Sequence, residues 1–106
     1  MPKYLVQANY TAEGLKGLMK DKGSGRQAAV SKAITGLGGK LEAFYFSFGE
    51  TDAVVIADLP DNVSAAALSL QVCASGLAAT KTTPLLTVAE IDQALQKSVD
   101  YRPPGR

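Results

Sequence analysis

The sequence predicts an α+β sandwich, a four-stranded antiparallel sheet with its helices on one face. Three observations carry this expectation. Apolar periodicity switches between strand-like and helix-like in the order β-α-β-β-α-β, with one further helical stretch at the end. Gly38 to Pro60 reads as a β-hairpin, two apolar runs hinged at Gly49-Glu50-Thr51-Asp52. Residues that cap helices, Thr11, Asp61 or Asn62, and Thr87, stand before the helical stretches.

From Lys3 to Tyr10, Tyr4, Val6, Ala8 and Tyr10 alternate with Leu5, Gln7 and Asn9, as in a strand with unlike faces. Thr11 caps a short helix running to about Lys22, with Glu13 in the first turn, where the helix dipole favours an anion. Gly23-Ser24-Gly25 interrupts it, and Ser24 with Gln27 has the pattern of a capping box, so a second helical piece restarts there. Its stripe is Val30, Ala33, Ile34 and Leu37, and Gly38-Gly39 terminates it.

In the second strand Phe44, Phe46 and Phe48 share one face, while Leu41, Ala43, Tyr45 and Ser47 share the other. Neither face is polar, so both are expected to be covered. The third strand, Ala53 to Leu59, is apolar on both faces through Ala53–Ala57, as a central strand is. An alanine-rich helix follows through Ala74, with Val63, Ala66, Ala67, Leu70 and Ala74 in the stripe expected to lie on the sheet. Leu77 to Leu86 is the fourth strand, and Thr87 with Glu90 opens a last helix of about three turns. Residues 1–98 form a single domain, and 99–106 a Pro-rich tail that frays or docks on a neighbour.

This order is the split βαβ pattern of a ferredoxin-like sandwich, with strands one and three as central neighbours. Its helices cover one face of the sheet. A second copy, sheet against sheet, is the simplest cover for the other, which gives a homodimer or higher homo-oligomer built as a dimeric α/β-barrel.

Composition excludes more than it assigns. The chain has 106 residues, 46% of them apolar, a net charge of +1 with scattered basic residues, one cysteine and no histidine. No electrostatic footprint for nucleic acid is present, and no run approaches the roughly 20 apolar residues of a membrane span. Without a signal-peptide pattern behind Met1, the expected location is cytoplasmic. The lack of histidine removes the commonest general base, zinc ligand and proximal haem ligand, so neither metal nor cofactor is expected. Cys73, between Val72 and Ala74, is expected to pack in the core.

Tyr10-Thr11-Ala12-Glu13-Gly14, Leu37-Gly38-Gly39-Lys40-Leu41-Glu42-Ala43-Phe44-Tyr45, Gly49-Glu50-Thr51-Asp52, Leu59-Pro60-Asp61 and Tyr101-Arg102-Pro103-Pro104-Gly105 occur in this order along nearly the whole chain. With these motifs the sequence resembles the GYD domain family. The resemblance implies a dimeric α/β-barrel fold and no particular activity. Where the family usually has Gly-Tyr-Asp, this chain has Gly-Glu-Thr-Asp, with Thr51 at the position where an aromatic residue is common. The wider superfamily includes haem-handling enzymes, cofactor-free monooxygenases and isomerase-like proteins, and the absence of histidine argues against the haem branch.

Four residues are candidates for a ligand site. Tyr10 and Tyr45 can offer hydroxyls to a pocket, or pack with their tips in water. Asn9, with Gln7, is an uncharged polar residue in an expected central strand, where a ligand could partner its amide. Asp52 can act as a carboxylate base, or fix the hairpin by bonding turn amides. Gly23-Ser24-Gly25-Arg26 offers a helix start with a guanidinium, although it matches no phosphate-loop pattern. The leading functional reading is a homo-oligomeric domain that binds a small, partly apolar molecule, either between sheet and helices or in the inter-subunit barrel. Two others stay open: a cofactor-independent monooxygenase or isomerase using Tyr45 or Asp52, and a purely structural assembly module.

Overall fold

The computed structural model describes residues 1–106. In chain order it has β1 (Lys3–Tyr10), α1 (Ala12–Gly36), β2 (Lys40–Phe46), β3 (Ala53–Asp58), α2 (Asn62–Ala74), β4 (Ala78–Leu85) and α3 (Val88–Leu95). The strands form one antiparallel sheet in the order β2-β3-β1-β4, so β1 and β3 are the central neighbours that the crossover rule requires. Val6 lies opposite both Val55 and Thr82, and Leu5 opposite both Ile56 and Thr83. These two sets are the two faces of the sheet.

One face is buried by helices. Tyr4, Val6, Val55 and Ala57 meet Ile34 of α1, Ala65 of α2 and Leu59 in the core, with Val30, Leu37, Leu41, Phe44 and Leu68 packed around them. The Tyr4 ring is 2% exposed, and its hydroxyl donates to Asn62 Oδ1 at 2.6 Å, so its one polar atom enters the core already paired. The Phe44 and Phe46 rings tilt against each other with centroids 5.0 Å apart. On the opposite face Leu5, Val54, Ile56 and Ala43 are half-buried, and no helix packs over them.

The two long helices are splayed. α1 packs over β2 and β1, α2 packs over β4, and there is little direct contact between them. Two close approaches fix their ends. At Gly14, buried in the first turn of α1, a Cβ would stand 1.9 Å from the Leu77 carbonyl oxygen, beside the Thr11 amide that donates to the same carbonyl at 3.0 Å. At Gly39 a Cβ would stand 2.2 Å from the Asp58 carbonyl oxygen, while its amide closes α1 by donating to Ile34 O.

Several local expectations need correction. The break in α1 falls at Lys22, whose φ of 64° and ψ of 172° are non-helical, one residue before the glycines; Ser24 and Gln27 form no capping box. Leu41 faces the helices, because a bulge between Leu41 and Ala43 makes Glu42 an extra residue and shifts the alternation. Phe48, 93% exposed, lies beyond the end of β2 and belongs to neither face. In α2 the covered side carries Ala65, Leu68 and Val72, whereas Val63, Ala66, Leu70 and Ala74 are exposed. Cys73 is exposed as well, not in the core. Since α2 lies over the edge strand β4, only one flank of it is covered, and an alanine-rich helix carries little periodic signal to say which.

The caps agree better. Thr11 and Asp61 accept from the amides of Gly14 and Ser64, and Thr87 with Glu90 forms a complete reciprocal capping box. α3 nevertheless packs on nothing: each of its residues is exposed. The molecule is 56 Å long with a radius of gyration of 16.8 Å, against about 13 Å for a compact chain of this length.

Candidate functional site

Between the splayed helices and the sheet lies a cavity of about 130 Å³. Its floor is Val6, Ala8, Ala53 and Val55, and its sides come from α1 (Val30, Ile34) and α2 (Leu68, Val72). Alanine explains the space. Ala8 and Ala53 lie opposite each other on β1 and β3, Ala78 lies opposite Tyr10 on β4, and Ala29 and Ala33 form an exposed rim on α1, where larger residues would close the gap. Polar groups are few: Arg26, Thr82, and Ser69 and Thr80, whose hydroxyls are 2.6 Å apart.

Tyr10 is the one of the four candidate residues that lines this cavity. Its backbone amide donates to Asp52 Oδ2 at 2.9 Å. Asp52 also donates its own amide to Ala8 O, and its carbonyl accepts from Ser47 N, so two bonds pin the β2–β3 turn to β1 and a third closes the turn itself. Tyr45 projects from the helix-free face and is 69% exposed. Asn9 is exposed, so its amide has no buried donors or acceptors to satisfy; it lines a separate polar groove of about 300 Å³ with Gln7, Glu50, Thr51 and Lys81. The structure therefore does not bring the four residues together. The cavity residues Ala8, Ala53, Leu68 and Thr82 carry no motif that marks them in the sequence; besides Tyr10, Arg26 is marked there, as part of a helix start.

Electrostatics concentrate away from the cavity. On the helix-free face Lys3 Nζ lies 2.9 Å from both Asp58 Oδ1 and Glu42 Oε2, and these hydrogen bonds, that to Asp58 foremost, hold the ammonium above its ordinary range. Where α2 meets β4 the exposed Cys73 thiol is drawn below its ordinary range, chiefly by the Thr80 hydroxyl 3.5 Å away. No helix is long and apolar enough to cross a membrane.

The family model described as GYD domain matches residues 4–95. The chain belongs to the GYD domain family. No curated protein and no solved structure matches it. Within this GYD domain, the β2–β3 turn that carries Gly49-Glu50-Thr51-Asp52 divides its labour: Glu50 and Thr51 face the polar groove, and Asp52 anchors the turn. The matched span takes in every strand and helix from Tyr4 to the end of α3, so the exposed last helix is part of the GYD domain rather than an appendage.

Proposed function

We propose that this GYD domain binds a small, partly apolar molecule in the cavity between its helices and its sheet. The cavity itself carries the reading: it is mostly apolar, has a few placed polar groups, and approaches the roughly 150 Å³ of a buried cavity that takes up benzene. Its ligand contacts come from Tyr10 together with residues of α1, α2 and β4. The test is an NMR titration of the full chain with neutral and charged compounds of benzene size. Shifts concentrated at the amides of Ala8, Ala53 and Val55 are expected; shifts spread over the surface, or none, overturn the reading. A compound at 100 times its Kd should also stabilise the fold by about 2.7 kcal/mol.

The working unit is a homo-oligomer in the cytoplasm. Two uncovered apolar surfaces support self-association: the helix-free face, with Leu5, Val54, Ile56 and Tyr45, and the outer side of α3, with Val88, Ile91 and Leu95. An isolated helix of eight residues is unstable in water, so α3 requires a surface to pack against. Light scattering coupled to size exclusion at micromolar concentration should give twice the chain mass or more. A monomeric mass removes this part of the proposal and leaves the ligand cavity standing.

A further inference from the structure

The cavity wall has polar features that a purely apolar ligand leaves unused. Arg26 and Thr82 line the cavity, and although the Arg26 side chain is one-third exposed, its Nε and the Thr82 Oγ1 are shielded and find no hydrogen-bond partner within the protein. Native interiors rarely leave such groups unpaired, least of all on a charged side chain. Nη1 faces Asp21 Oδ2 at 3.9 Å, and on the other edge of the planar guanidinium the Nε–H runs parallel with an N–H of Nη2. That edge is the one on which guanidinium binds a carboxylate through two parallel hydrogen bonds.

We propose that the cavity takes a small monocarboxylate, its carboxylate paired with the guanidinium of Arg26, the one charged residue of the lining, and its apolar body lying over Ala8, Ala53 and Val55. The proposal rests on the ligand reading of the same cavity and adds the chemical class. Volume sets the size of the body: about 130 Å³ suits about six carbon atoms, one aromatic ring or a short chain. Charge sets the head group. Arg26 already faces one carboxylate, Asp21, and the remaining wall is mostly apolar, so a dianion such as phosphate would bring charge with nothing to compensate it, while a single negative charge is matched. The Thr82 hydroxyl, which can donate or accept, gives a second polar point for a ring substituent or a second carboxylate lone pair.

Benzoate and its neutral counterpart benzamide, titrated into the full chain by NMR and calorimetry, separate the possibilities. Benzoate should shift the amides of Ala53, Val55 and Thr82 and bind at least about tenfold more tightly than benzamide, the least that a charge-assisted hydrogen bond contributes. Arg26→Gln should bring benzoate down to the affinity of benzamide and leave benzamide unchanged. Ala33→Leu, at the exposed rim, should weaken both compounds while the thermal midpoint holds, which shows that the loss is of space rather than of fold. Equal binding of the two compounds to the parent chain, or unchanged benzoate affinity in Arg26→Gln, overturns the carboxylate assignment and leaves the apolar site intact. Binding of neither compound overturns both.

Discussion

Single residues in this chain carry effects that their neighbours do not predict. Lys22 sits at φ 64° and ψ 172°, a region that only glycine occupies without strain, in the middle of a 25-residue helical stretch. Such a residue costs of the order of 1–3 kcal/mol, and glycine would add back about 0.5–1 kcal/mol of chain entropy. Lys22→Gly should therefore raise the free energy of unfolding by about 1 kcal/mol, read from the urea midpoint; a fall in stability would show that Lys22 gains more from its contacts than it loses in its backbone. Cys73 makes a second case. The Thr80 hydroxyl favours the thiolate, so alkylation by iodoacetamide should reach half its limiting rate at a lower pH than an ordinary thiol does. Thr80→Val should move that midpoint upward, and an unmoved midpoint would remove Thr80 as the cause. Neither residue was legible beforehand. Gly23 and Gly25 mark the break, but the strained position is the lysine before them, and nothing around Cys73 indicates which side of an alanine-rich helix meets the sheet.

At the scale of elements, the sequence was most informative where one residue type does one job. Strand alternation in β1, the caps at Thr11, Asp61 and Thr87, and the central place of β3 all follow from local pattern and were readable. The bulge at Glu42 was not, because one inserted residue reverses the alternation without altering composition. The cavity was hidden for a related reason: Ala8 and Ala53, 45 residues apart in the chain, become a gap only when the sheet registers them side by side. The α1–β2 junction offers a direct check. Gly39→Ala would place a methyl group against the Asp58 carbonyl and should destabilise by about 1–3 kcal/mol, whereas alanine at Gly17, which faces open space on α1, should be neutral or better. In α3 the Thr87 amide, and after it the Thr87 hydroxyl, hold the Glu90 carboxyl below its ordinary range. A carboxylate lowered in this way stabilises the helix fully above its unfolded-state pKa, and the contribution disappears as pH falls through the folded value. The helical Cα shifts of Val88–Ile91 should accordingly fade on acidification in that window, and Glu90→Gln should flatten the dependence.

For the whole molecule, the length of 56 Å and the unpacked α3 leave apolar surface bare, which is the surface that the proposed homo-oligomer would bury. Ile56→Lys places a charge in the middle of the helix-free face, beside Leu5 and Ala43. It should yield a monomer in light scattering with little loss of monomer stability, since Ile56 lies outside the helix-covered core; an unchanged oligomer would move the contact surface to α3. The two borders of the sheet bear on how copies can meet. β2 is an outer strand interrupted by its bulge and flanked by Lys40 and Glu42, and β4 is an outer strand with Lys81 at its middle and Pro84, which has no amide hydrogen, near its end. Each border is poorly suited to receive another strand, so two chains cannot readily merge into one continuous ribbon. A protein this small, with one face of its sheet bare, thus spoils the lateral route to fibre-like growth, and the proposed face-to-face pairing would close on itself.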